Sequence, residues 1–170
     1  MKNLTKKVEL FSNIAIIVVA ILLCAVLVKR YLLTQPVQSN SNATANSAVA
    51  AGTKVNLQDI DWSKGTQTLI MALSNSCHFC SASAPFYQRL AQKRDKTRLI
   101  AVLPQSVEEG KKYLDGLKIT VDDMKQVPLA SLGVTGTPTL ILVDSKGVII
   151  NSWVGKLPAD REQEVLASLQ

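Results

Sequence analysis

One histidine and three cysteines are all that 170 residues contain, and that scarcity sets the first limits. A closed zinc site takes four Cys, His or carboxylate ligands. Neither a second Cys-x-x-Cys nor a His-x-x-x-His is present to complete one, and Cys24 sits in an apolar run far from Cys77 and Cys80. A surplus of one charge is missing from most of the chain as well. The net charge is +6, but residues 1–53 hold five Lys/Arg against Glu9 alone, while residues 54–170 hold fourteen against twelve Asp/Glu. The excess therefore flanks an apolar run, and a nucleic-acid interface finds little support.

Charge is absent altogether from Leu10 to Val28, with Lys2, Lys6 and Lys7 before the run and Lys29 and Arg30 after it. Nineteen helical residues would span about 28 Å, close to the ~30 Å hydrocarbon thickness of a bilayer. Apolarity on every face excludes an ordinary core helix. A cleaved signal peptide would have a shorter apolar stretch with a small-residue cleavage site directly after it, where this chain has Lys29-Arg30. The reading is an uncleaved signal anchor over residues 10–30 that holds the chain to a membrane, with residues 1–9 cytoplasmic and Cys24 an apolar filler. Positive charges on the two sides nearly balance. The orientation rests on the usual layout of a short N-terminus followed by a whole domain. It puts the C-terminal domain on the extracytoplasmic (periplasmic or cell-surface) side, where disulfide chemistry operates. Residues 31–53 follow as a linker. Thr34 to Thr53 is a Gln, Ser, Asn, Ala and Thr tract without charge or apolar periodicity, which predicts a flexible tether with a reach of about 25 Å.

Residues 54–170 predict one α/β domain. Val55–Ile60 alternates weakly and suggests a short strand, and Thr68–Leu73 is an apolar run that fits a buried strand. Ser76 is placed to cap a helix that runs from the cysteine pair through Ala91, with a kink at Pro85. Arg98–Leu103 reads as a second buried strand and Val107–Leu117 as an amphipathic helix. Ile119–Val121 reads as a short strand, and Asp122–Ser131 as an irregular helix broken at Pro128. Thr139–Val143 and Val148–Val154 form a hairpin about Asp144–Gly147, where Gly147 is free to take a positive φ. A helix over Pro158–Leu169 closes the chain. The basic cluster Arg89, Lys93, Arg94, Lys96 and Arg98 either offers a docking patch or complements a helix end. The order predicts a mixed sheet covered on both faces.

Ser76-Cys77-His78-Phe79-Cys80 is the stretch that carries chemistry. Two cysteines three apart at the start of a helix share one face, and their sulfurs are within reach of a reversible disulfide. The unsatisfied N–H groups there stabilise a thiolate, the nucleophile of thiol–disulfide exchange. A structural bridge across so short a loop would constrain the unfolded chain little. Half of a metal site is the other bland reading.

Four features coincide: Cys77-x-x-Cys80 after a buried strand, Pro85 five residues beyond Cys80, Gly136-Thr137-Pro138-Thr139 before a strand, and the hairpin–helix ending. On these the chain resembles the thioredoxin superfamily over roughly residues 55–170. With Glu108 to Leu117, Leu132–Thr139 and Val143-Asp-x-x-Gly-Val it is most similar to the membrane-anchored, extracytoplasmic thiol–disulfide oxidoreductases of the TlpA/ResA type. The resemblance implies a three-layer α/β/α fold, an attacking Cys77, a resolving Cys80 and a Cys77–Cys80 redox disulfide. It also implies a cis Thr137–Pro138 bond that presents the Thr137 backbone to a substrate chain. Two departures stand out. The position six residues before Cys77, an acid in many thioredoxins, is Met71. The residues between the cysteines are His78 and Phe79. His78 either favours the Cys77 thiolate or faces solvent, and Phe79 is an apolar contact for a partner or a core edge. Peroxiredoxins are set aside because no proline lies between Pro36 and Pro85. Copper-delivery proteins of this fold are set aside by the cysteine spacing and the lack of a second histidine.

The sequence thus points to a membrane-tethered oxidoreductase acting on protein thiols or disulfides. A membrane redox partner would reduce or reoxidise it, and it would need neither cofactor nor metal. The alternative is a non-catalytic binding or metal-binding module on the same fold.

Overall fold

A computed structural model describes residues 49–169. The expected anchor over 10–30, Cys24 and nearly all of the linker lie outside them. No helix among the described residues is long and apolar enough to cross a membrane.

Two largely apolar runs form the centre. Gln67–Ala72 (β1) is buried from Thr68 onward, as is Arg98–Leu103 (β2) after its first residue. They pair in parallel, with Leu69 opposite Leu99 and Met71 opposite Ala101. Burial on both sides explains why they read as continuous apolar runs rather than as alternation. Thr139–Asp144 (β4) runs antiparallel to β1, and Ile149–Val154 (β5) antiparallel to β4. Asp123–Gln126 (β3) adds in parallel to β2, giving the order β3-β2-β1-β4-β5. The hairpin turns at Gly147, whose φ is +78°. A Cβ there would also meet the Trp62 ring at 2.9 Å, so both backbone and packing require glycine.

His78–Ala82 (α1) and Ala84–Lys93 (α2) connect β1 to β2, and Val107–Gly116 (α3) connects β2 to β3. Both crossovers step the same way along the sheet, so right-handed connections put their helices on one face. Ala159–Ser168 (α4) joins them there: Phe86, Tyr87, Leu90, Leu114, Val165 and Leu166 share one apolar cluster with Leu69, Met71 and Cys80. The opposite cluster, built on Ile70, Ile100 and Ile141, is closed by Val55, Leu132 and Val134, with Leu57, Ile60, Trp62 and Leu129 packed against it. Among the described residues, then, the second layer expected to be helical is irregular chain with two 3₁₀ turns, Trp62–Lys64 and Leu129–Leu132.

Four local expectations are corrected. Val55–Ile60 is not a strand: the segment before it lies along β5, with Gly52 N–H on the Ile149 carbonyl at 2.8 Å, Ile149 N–H on that of Thr53 at 2.8 Å, and one bridge between Lys54 and Val148. The helix after the cysteines is two helices. Ser83 ends α1, its N–H shared between the Phe79 and Cys80 carbonyls, and Pro85 stands in the first turn of α2, where its missing N–H costs nothing. The expected strand at 119–121 lies instead at 123–126, because Asp122 docks on Leu99. Its N–H reaches the Leu99 carbonyl at 2.9 Å, and its carboxylate accepts the Leu99 N–H at 2.8 Å. The expected helix over 122–131 is therefore β3 followed by the 3₁₀ turn. The basic cluster is largely paired internally: Arg89 with Glu162, Arg94 with Asp122, and Arg98 with Asp123 at 3.3 Å.

Candidate active site

The register brings five chain segments to one end of the sheet. Ala72, the end of β1, lies opposite Thr139, the start of β4, and Thr139 lies opposite Val154 at the end of β5. Leu103 and Gln126 close β2 and β3 at the same level. The cysteine pair leaves β1 at that end. The Cys77 N–H bonds the Ser74 carbonyl at 3.1 Å, and α1 begins at the next residue.

Cys77 itself caps α1, which corrects the expectation that Ser76 does so. Its Sγ accepts the Cys80 N–H at 3.3 Å. A thiol is a poor cap and a thiolate a good one, so the position favours the charged form. Ser76 turns back instead: its hydroxyl lies 2.9 Å from that of Ser74, which also accepts from Gln105 Nε2 at 3.2 Å. This brace was missed in the sequence because Gln105 comes from a different loop and carries no motif.

The two sulfurs differ in environment. Both are free thiols in the structure; Cys77 is half-buried and Cys80 fully buried. Burial pushes the Cys80 thiol up to about 12, helped by the hydrogen bond it gives Cys77. Burial also works to raise Cys77. It is outweighed by hydrogen bonds from the Cys80 thiol, the Thr137 side chain and the Cys80 and Phe79 backbone, which hold Cys77 below the ordinary thiol value. As a thiol, Cys77 donates to the Thr137 carbonyl at 3.3 Å, a bond that is given up when the proton leaves and so offsets part of this gain.

Thr137 and Pro138 thus meet the cysteines across 60 residues of sequence. Their peptide bond is cis. The loop is fastened on both sides: Thr139 Oγ1 donates to the Gly136 carbonyl at 2.7 Å and Gly155 N–H to the Pro138 carbonyl at 2.7 Å. Pro138 is buried and Thr137 half-buried. His78 and Phe79 project outward, their rings 5.8 Å apart and edge to face. Pro85 is exposed on α2. Met71 is buried in the same apolar cluster as Cys80, so no carboxylate stands at that place. The Tyr113 hydroxyl lies 3.1 Å from that of Ser81, the residue after Cys80. No motif pointed to Tyr113.

A family model described as a thioredoxin-like domain matches residues 61–170. The chain belongs to the thioredoxin-like family. Solved structures similar to this thioredoxin-like domain include a Chlorobium tepidum protein assigned as thiol:disulfide interchange protein DsbE (21% identity, TM-score 0.57, 72% of this chain and 99% of that one). A thiol:disulfide interchange protein from Bacteroides sp. follows (20%, 0.55, 72% and 91%), and a thiol-disulfide isomerase from Corynebacterium glutamicum (18%, 0.53, 71% and 92%). At these identities the likeness is one of fold. No curated protein matches the chain.

Proposed function

We propose that this protein is a thiol–disulfide oxidoreductase that exchanges electrons with extracytoplasmic protein thiols through Cys77-His78-Phe79-Cys80, tethered to the membrane by residues 10–30. The observation that carries the redox reading is the asymmetry of the pair. Cys77 is half-buried, caps a helix and is held low, whereas Cys80 is buried and pushed up to about 12. Cys77 is thereby the readier nucleophile, and Cys80 keeps its proton until a mixed disulfide forms beside it. The tether is supported by the uncharged run Leu10–Val28 and its basic flanks.

Chemically, the Cys77 thiolate attacks a substrate disulfide and releases one substrate thiolate. Cys80 then gives up its proton and attacks Cys77 Sγ. The Cys77–Cys80 disulfide forms, the second substrate thiolate leaves, and two electrons have passed to the substrate. Run backwards, the same steps oxidise a substrate dithiol. A membrane redox partner resets the pair in either direction. Thr137, with its carbonyl at Cys77, is the backbone a substrate chain would lie against.

The test uses the full chain in detergent, with insulin disulfide reduction and oxidation of a reduced peptide as the two assays. Activity in one of them, abolished in Cys77→Ser, is expected. Wild-type inactivity in both, together with stoichiometric metal that Cys77→Ser loses, would overturn the reading in favour of a metal-binding module.

A further inference from the structure

Between the buried end of β1 and Cys77 the chain makes a single turn. The Cys77 N–H on the Ser74 carbonyl at 3.1 Å closes it, and Asn75 and Ser76 at its tip are exposed. Exposed tips are ordinarily among the loosest parts of a fold, yet this one sets where the attacking sulfur stands. Inside the turn, Ser74 Oγ lies 2.9 Å from Ser76 Oγ and accepts the Ser76 N–H at 3.4 Å. Among the described residues, one side chain from another loop hydrogen-bonds the turn. Gln105 donates from Nε2 to Ser74 Oγ at 3.2 Å and accepts the Asn75 N–H on Oε1 at 3.4 Å. An amide offers a donor and an acceptor together, which neither a lysine nor an ionised glutamate does. It also adds no charge beside the sulfurs.

Gln105 is held on both sides in its turn. The Leu103 carbonyl takes the Val127 N–H at 2.8 Å, the Pro104 carbonyl takes Gln126 Nε2 at 3.4 Å, and Ser106 caps α3. The Ser74 backbone that it clasps serves both cysteines. Its carbonyl fixes the Cys77 N–H, and its N–H works against the burial that raises Cys80.

Building on the oxidoreductase reading, we propose that Gln105 is a positioning residue of the redox pair, clasping the Ser74–Cys77 turn so that Cys77 Sγ stays aimed at the first N–H groups of α1. The Cys80 N–H reaches that sulfur at 3.3 Å. A drift of about 1 Å at Cys77 would take the sulfur out of useful hydrogen-bond range. Gln105 takes part in no bond that forms or breaks. The covalent step is the one given above: Cys77 attacks, the substrate's first thiolate leaves, Cys80 resolves. The clasp acts on how readily Cys77 becomes a thiolate.

The experiment follows alkylation of Cys77 against pH in the reduced full chain in detergent, carrying Cys24→Ser throughout. The unfolding midpoint and the rate with a small aromatic disulfide are measured beside it. Gln105→Met keeps the length of the side chain and removes the amide; Ser74→Ala removes the hydroxyl that the amide holds. In Gln105→Met the inflection is expected to move up by about 0.7 of a pH unit, and the rate below the inflection to fall about fivefold, the worth of one net hydrogen bond. Ser74→Ala should do the same, and the double variant should be no worse than either, because both act through one contact. A glutamine that only stabilised the fold would lower the unfolding midpoint and leave the inflection in place. An unchanged inflection in either folded single variant, or shifts that add in the double, would overturn the proposal; Ser74→Ala decides alone should Gln105→Met not fold. Failure of the parent protein even with the small disulfide would overturn the oxidoreductase reading itself, and the inference with it.

Discussion

Cys77 and Cys80 are the same residue type three positions apart, and the fold sets their thiols far apart in acidity. Cys80 is buried and rises to about 12, while hydrogen bonds hold Cys77 low against its own partial burial. Alkylation of reduced Cys24→Ser protein at pH 8 is therefore expected to add one group, at Cys77. Its rate should show an inflection below that of an unperturbed thiol. In Cys80→Ala the inflection should move up, because the sulfur loses the hydrogen bond from the Cys80 thiol. A double adduct in the folded Cys24→Ser protein, or an unchanged inflection in Cys80→Ala, would contradict this assignment. Thr68 poses a different question. It is 1% exposed, and its hydroxyl is a buried side-chain oxygen with no hydrogen-bond partner. Thr68→Val keeps the shape and removes the unmet group. Urea denaturation should show a gain of about 1 kcal/mol.

Among the elements, those that bury apolar surface on both sides were legible in the sequence. β1, β2 and β4 read as apolar runs because they lie in the middle of the sheet. The cysteine pair, Thr137-Pro138 and the Gly147 turn were legible too, since each is tied to a local pattern. β3 was not. Asp-Met-Lys-Gln has little strand propensity, and it forms because Asp122 docks on Leu99 at the edge of the sheet, a contact with no local signature. The break between α1 and α2 was misread for a similar reason: Pro85 tolerates a helix start as well as it marks a kink, and Ser83 decides between them through its own contacts. Capping offers a test at this scale. Ser106 and Glu109 form a reciprocal box at the start of α3: the Glu109 N–H reaches Ser106 Oγ at 3.3 Å and the Ser106 N–H reaches the Glu109 carboxylate at 3.1 Å. Ser106→Ala is expected to lower stability by about 1 kcal/mol in chemical denaturation, and an unchanged midpoint would show that α3 is held by packing alone.

At the scale of the molecule, one face of the sheet carries the helices and the other is closed by irregular chain, and all loops at the redox end come from the same edge of that arrangement. The likeness to thioredoxin was legible because its signals are short and local. The make-up of the second layer was not, because Leu57, Ile60 and Trp62 reach the sheet without regular periodicity. The proposed tether is tested on the whole chain. Full-length protein should co-sediment with lipid vesicles, and a version lacking residues 10–30 should stay in the supernatant while keeping its reactivity toward a small disulfide. Equal partitioning of the two would remove the membrane from the account.

The central claim is that Cys77 and Cys80 form a reversible two-electron couple, and redox equilibrium with glutathione measures it directly. The full chain in detergent is brought to equilibrium across a series of glutathione potentials, trapped by alkylation and weighed. A single two-electron transition is expected, falling between about −120 and −270 mV, the range of known disulfide oxidants and reductants of this fold, and absent in Cys77→Ser. If the pair stays wholly reduced or wholly oxidised across the series, or if the transition survives in Cys77→Ser, the cysteines are not the working pair and the oxidoreductase account is wrong.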